Sequence, residues 1–139
     1  MDVTEETFYV DVIQRSHQVP VVVDFWAEWC APCRMLAPVL EREVAARNGN
    51  VVLAKVNVDQ NPTLASHYGV RSIPAVKAFR NGRVVAEFVG VRSAPAVAEF
   101  LDSLLGPTAS ERLLEELRAS GEEPEVIALL EAGEYERAS

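Results

Sequence analysis

The chain has 139 residues, 49% of them apolar, and a net charge of −8. That length and apolar content suit one folded domain with a small appendage and exclude a disordered chain. The acidic balance argues against nucleic acid as a partner, and no apolar stretch approaches the roughly 20 residues of a membrane span.

In chain order, the N-terminus Met1-Asp2-Val3-Thr4-Glu5-Glu6 is acidic. It lacks the basic start and apolar centre of a signal peptide. Thr4 reads as an N-cap with Glu5 and Glu6 in the first turn, and Phe8, Val12 and Ile13 continue a helical stripe to about Ser16. Residues 21–26, Val-Val-Val-Asp-Phe-Trp, form a buried strand. A helix over 32–47 follows, with Met35, Leu36, Val39, Leu40 and Val44 inward and Pro38 inside it. Asn48-Gly49-Asn50 is a turn, and residues 51–58 are the next strand. Asn61-Pro62 opens a short helix that Gly69 ends. Strands over 75–79 and 84–89 are joined by Asn81-Gly82, a strong two-residue hairpin signal. Ser93 caps a helix whose inner face is Val97, Phe100, Leu101, Leu104 and Leu105, ending at Gly106. Strands alternating with helices, plus a hairpin, predict an α/β fold: a mixed central sheet with helices on both faces.

The charge splits unevenly near Gly106-Pro107. Residues 107–139 hold nine acids and three bases; residues 1–106 hold twelve acids and ten bases. Two units are therefore expected: a domain over 1–106 and an acidic helical extension over 107–139. In the extension, Leu113, Leu114 and Leu117 lie at helical spacing before Gly121, and Pro124 opens a second helix with Val126, Ile127, Leu129 and Leu130. Residues 128–138 look like the start of a tetratricopeptide repeat. A helical hairpin docked on the domain fits the same residues equally well.

The chemistry concentrates in Trp29-Cys30-Ala31-Pro32-Cys33-Arg34, which holds both cysteines of the chain. They stand where a strand pattern gives way to a helix pattern. A helix N-terminus offers unpaired N–H groups and the positive end of its dipole, so a Cys30 thiolate there is favoured. Pro32 suits the first helical turn, and Cys33 is one turn on. A disulfide closing so small a loop gains roughly 2 kcal/mol, against about 4.7 for a 100-residue loop, and so suits a carrier of electrons. Zinc needs four ligands, and no second Cys pair is present, while His17 and His67 stand apart. Haem attachment needs His after the second Cys, where Arg34 stands. No metal and no cofactor beyond the Cys30–Cys33 disulfide is expected. With one redox-type pair and no disulfide framework, the expected compartment is the cytoplasm.

These residues resemble the thioredoxin family over positions 1 to about 105. The resemblance rests on Asp24-Phe25-Trp26-Ala27-Glu28-Trp29-Cys30-Ala31-Pro32-Cys33, then Pro38, Lys55, Val58-Asp59, Ile73-Pro74, Asn81-Gly82 and Gly90. It implies the thioredoxin fold and a thiol–disulfide oxidoreductase that reduces protein disulfides. It also implies roles: Cys30 as attacking thiolate, Cys33 as resolving thiol, Asp24 as proton acceptor and donor for Cys33, and Lys55 as charge partner. Pro74 is implied to follow a cis bond, exposing the Ile73 backbone to an extended client segment. Trp29, Ala31, Pro32, Ile73, Pro74 and Gly90 would form the client-binding surface, with Trp26 in the core. Departures are a leading strand reduced to Asp2-Val3, Ala75 where Thr often stands, Ala31 for the more frequent Gly, and Lys77 within an apolar strand.

Expected partners are client proteins with disulfides or thiols and a reductase that supplies electrons. The extension resembles that of thioredoxin–tetratricopeptide-repeat co-chaperones, which implies chaperone partners through it. The rival reading is a holdase module whose Cys30 protects client thiols through mixed disulfides.

Overall fold

The computed structural model describes residues 1–106 and 109–121. Four strands form one sheet in the order β2-β1-β3-β4: β1 (Val21–Trp26), β2 (Val52–Asn57), β3 (Ala75–Arg80) and β4 (Arg83–Val89). β1 runs parallel to β2 and antiparallel to β3, and β3 and β4 form the expected hairpin. Asn81 and Gly82 both take positive φ, 54° and 82°, as a turn matched to the strand twist requires. The leading strand survives only as a bridge between Asp2 and Lys55.

Alternation along β1 explains its apolar run, which only Asp24 interrupts. Val21, Val23 and Phe25 enter one core with Phe8, Val12 and Phe79. Val22 enters the other, with Leu36, Leu40, Val76, Val97 and Leu101. Both faces are covered, so both are apolar apart from Asp24. Asp24 has the parity of Val22 and therefore points towards α1 (Ala31–Ala45).

Several expectations are corrected. The first segment is not a single α-helix. A turn over residues 5–7 leads into π-helix (Tyr9–Gln14) and a 3-10 turn (Arg15–His17). Thr4 still opens the segment: its carbonyl accepts the Phe8 N–H at 2.9 Å, and its own N–H donates to Thr7 Oγ1 at 3.0 Å. Within the closing 3-10 turn, the Ser16 hydroxyl donates to the Ile13 carbonyl and accepts from the Gly82 N–H. Met35 is 63% exposed, not inward, because it lies one residue off the Cys33, Leu36, Leu40 stripe. Leu105 is also exposed. Helix α3 (Ala94–Ser103) stops before it, so helical spacing no longer sets its direction. Ser93 caps α3 as expected, accepting from the Ala96 N–H. Helix α2 (Pro62–His67) ends near Gly69, at φ 65°.

Lys77 has an acidic partner after all. Glu87 lies directly across the hairpin, and its carboxylate is 3.2 Å from the Lys77 ammonium. Helix α4 (Ala109–Ser120) buries Leu114 and leaves Leu113 exposed. Arg80, at the end of β3, donates to the Gly106 carbonyl at 2.6 Å and lies 3.8 Å from the Glu111 carboxylate. The second helix expected from Pro124 lies outside the described residues. No helix among the described residues is long and apolar enough to cross a membrane.

Candidate active site

Cys30 occupies the N-cap of α1 with extended backbone, φ −89° and ψ 102°. Its Sγ accepts the Cys33 N–H at 3.2 Å, the bond an N-cap oxygen would ordinarily make. Ala31 and Pro32 form the exposed first turn, where the missing proline N–H costs nothing. Cys30 and Cys33 are joined in a disulfide, their Cα atoms 5.3 Å apart. Both are buried, against Ala27, Trp26, Val58 and Ile73. Arg34 donates to the Glu28 carbonyl and ties the helix start to the preceding loop.

The Ile73–Pro74 peptide bond is cis. The Ile73 carbonyl lies 3.8 Å from Cys30 Sγ. In the disulfide that sulfur carries no proton, so this is a contact; a reduced Cys30 thiol could donate across it. The Gly90 N–H donates to the Pro74 carbonyl at 2.8 Å. Gly90 sits at φ 90°, a backbone conformation that side chains disfavour. The loops before β3 and after β4 are thus stitched together beside the disulfide.

Trp29 is 68% exposed at the rim, and its indole N–H donates to Asp59 Oδ2 at 2.8 Å. Trp26 is only partly buried, not fully in the core, and its indole nitrogen is buried without a hydrogen-bond partner.

Beneath the cysteines, Asp24 is 1% exposed and neither carboxyl oxygen has a hydrogen-bond partner. It lines a cavity of about 80 Å³ with Trp26, Cys33, Arg34, Ala37 and Lys55. Burial pushes its pKa from 3.8 up to about 6; the Lys55 charge opposes this and the Glu41 charge adds to it. Lys55 is the direct register neighbour of Asp24 on β2. Its ammonium nonetheless lies 3.4 Å from the Glu41 carboxylate and 5.3 Å above the Trp26 ring.

The fold thus gathers Cys30, Cys33, Ala31, Pro32, Ile73, Pro74 and Gly90 at one end of the sheet, with Trp29 beside them and Asp24 and Lys55 below. Glu41 was not anticipated, because it meets Lys55 only through the packing of α1 on β2. Asp59 belongs to the sequence motif, but its bond to Trp29, 30 residues away, is set by the fold. Among the described residues, no group of three or more His, Cys, Asp or Glu side chains is placed to hold a metal ion.

A disulfide-bonded Cys-x-x-Cys pair at a helix N-terminus, beside a cis-proline loop on this mixed sheet, defines a thiol–disulfide oxidoreductase of the disulfide-reductase type. The family model described as Thioredoxin matches residues 1–103. Thioredoxin 1 of Synechococcus elongatus is 45% identical over 103 residues, covering 74% of this chain and 94% of the relative. Thioredoxin of Streptomyces clavuligerus is 47% identical over 89 residues, 64% and 80% of the two chains. Probable thioredoxin-2 of Caenorhabditis elegans is 47% identical over 100 residues, 72% and 68%. The chain belongs to the thioredoxin family.

Proposed function

We propose that the chain reduces disulfides in client proteins by two successive exchanges, with each residue in a stated role. The Cys30 thiolate attacks a client disulfide, forming a mixed disulfide and releasing one client thiolate. The Cys33 thiol then gives its proton to Asp24 and attacks Cys30 Sγ. The second client thiolate leaves, so two electrons have passed from the dithiol to the client. A reductase restores the dithiol. The observation that carries this reading is the Cys33 N–H to Cys30 Sγ hydrogen bond at the α1 N-terminus, which becomes charge-assisted when Cys30 is a thiolate.

Burial of Asp24 beside Cys33 supports its role as base, since a pKa near neutrality suits proton exchange. Lys55 moderates that carboxyl. Trp29, Ala31, Pro32, Ile73, Pro74 and Gly90 form the client surface, and the cytoplasm is the proposed compartment. Insulin-disulfide reduction with dithiol recycling tests the reading; a wild-type chain that leaves insulin oxidised overturns it.

A second role is supported by α4, which leaves Leu113 exposed on an acidic helix. In this reading residues 107–139 are a separate extension, of the tetratricopeptide co-chaperone kind, that engages chaperones or unfolding clients. Suppression of client aggregation by the full chain, but not by a chain ending at Gly106, is the expected result. Equal suppression by both would remove the extension from that role.

A further inference from the structure

The arrangement around Lys55 contains an unexpected vacancy of pairing. Asp24 and Lys55 are direct neighbours on parallel strands, so their side chains leave the same face of the sheet about 4.8 Å apart at the backbone. An unpaired buried carboxylate is costly, and a lysine so close is the ordinary remedy. Yet neither Asp24 oxygen has a partner, while the Lys55 ammonium lies against Glu41 and over Trp26. Glu41 comes from a different element. Arg34, Ala37 and Glu41 follow one another along α1 at helical spacing, and the first two line the Asp24 cavity.

The geometry points to Glu41 as a positioning residue for the redox reaction: its carboxylate holds the Lys55 ammonium aside and keeps it from pairing with Asp24. Asp24 is thereby left free to exchange a proton with Cys33. That consequence rests on the role proposed for Asp24 above; the positioning itself does not.

The other charged groups around this cavity do not fill the same role. Arg34 is engaged with the Glu28 carbonyl. Asp2 and Glu28 line an outer cleft with Lys55, and both are exposed. Without Glu41, the nearest buried anion left to the lysine is its register neighbour. Removing the Glu41 charge also relieves Asp24 of a direct repulsion. Both effects favour ionised Asp24, so they must be separated by a double-mutant cycle.

The experiment is a carbon-13 NMR titration of the Asp24 carboxyl in the oxidised full chain. Wild type, Glu41→Gln, Lys55→Met and the double variant are compared, with Lys55→Gln serving if Lys55→Met does not fold. Glu41→Gln is expected to lower the Asp24 midpoint by about one pH unit, the low end of what a nearby opposite charge produces. With Lys55 removed, the same substitution should lower it by less than half as much. No shift, or an equal shift in both backgrounds, overturns the inference: the lysine has then gone to Asp2 or Glu28, or was never held. The pH profile of mixed-disulfide resolution is measured alongside. If the NMR midpoint moves as expected and the kinetic inflection does not follow it, the positioning by Glu41 stands and the proton-transfer role of Asp24 falls.

Discussion

The Trp29 indole N–H and the Asp59 carboxylate meet at 2.8 Å, joining the rim of the redox site to the loop between β2 and α2. Trp29 is otherwise largely in solvent, so this bond is the main restraint on its orientation. If the ring is part of the client surface, its freedom matters for binding more than for chemistry. Asp59→Ala should raise KM for a protein disulfide about fivefold, the value of about 1 kcal/mol for one hydrogen bond, with kcat little changed. Fluorescence anisotropy of Trp29 in a Trp26→Phe background should fall in parallel. An unchanged anisotropy would mean the ring is held by something other than Asp59.

The two sulfurs should be separable by trapping. Cys33→Ser leaves Cys30 able to attack and nothing to resolve the product, so covalent client complexes should accumulate. Cys30→Ser should form none. Mass spectrometry decides the matter: a client adduct on Cys33 in the wild-type chain would reverse the proposed assignment.

Asp24 links pH to stability with a definite sign. Its pKa in the fold, about 6, exceeds its ordinary 3.8. The folded state therefore binds more protons than the unfolded state between those values, and stability falls as pH rises through that window. The cost is fully developed above pH 6 and amounts to about 3 kcal/mol for a gap of that size. Asp24→Asn should thus be more stable than wild type at pH 7.5 by up to about 3 kcal/mol, with the gain fading by pH 4. Urea denaturation at the two pH values measures it. A gain that persists unchanged at pH 4 would assign it to something other than the buried charge.

The same substitution should slow mixed-disulfide resolution by about a hundredfold at pH 7, the low end for loss of a general base. The wild-type rate should rise with pH through about 6, as Asp24 loses its proton. In Asp24→Asn that inflection should be missing. Stopped-flow measurement from pH 5 to 9 checks both, and a retained inflection would identify another group as the base.

A chain ending at Gly106 should remain folded and reduce disulfides at near full rate. It loses the burial of Leu114 and the Arg80 contact with Glu111, which together are worth about 2 kcal/mol. The Arg80 contact lies far from Cys30, since Arg80 ends the strand that Ala75 begins beside Pro74. Thermal melting and insulin reduction test this. A folded but redox-dead product would place the extension inside the active unit.

Much of the fold is legible because its signals are local. Asn81-Gly82 carries the positive φ of its turn in its own residue types, and Ser93 and Pro62 mark helix starts by their own chemistry. The dithiol is legible for the same reason, since spacing and helix position are both written within six residues. What stayed hidden depends on register between elements. Lys77 looked anomalous until the hairpin set Glu87 opposite it. Lys55 looked like a simple partner of Asp24 until α1 brought Glu41 within 3.4 Å. Met35 fell on the wrong side of its helix because one residue of phase, about 100°, decides which way a side chain points.

If the sulfur that caps α1 is the attacking one, as proposed, the cap sets up a race. A helix end that stabilises the Cys30 thiolate makes it a ready nucleophile, but it equally makes Cys30 the better leaving group. Any mixed disulfide is therefore prone to collapse backwards, returning the client oxidised. Forward resolution prevails only if Cys33 attacks faster than the departed client thiolate can return. The Cα separation of 5.3 Å gives Cys33 that advantage as an intramolecular competitor. Clients that hold their own released thiolate close to the junction would escape reduction most often, so kinetic partitioning, as much as affinity, would set which disulfides this protein reduces.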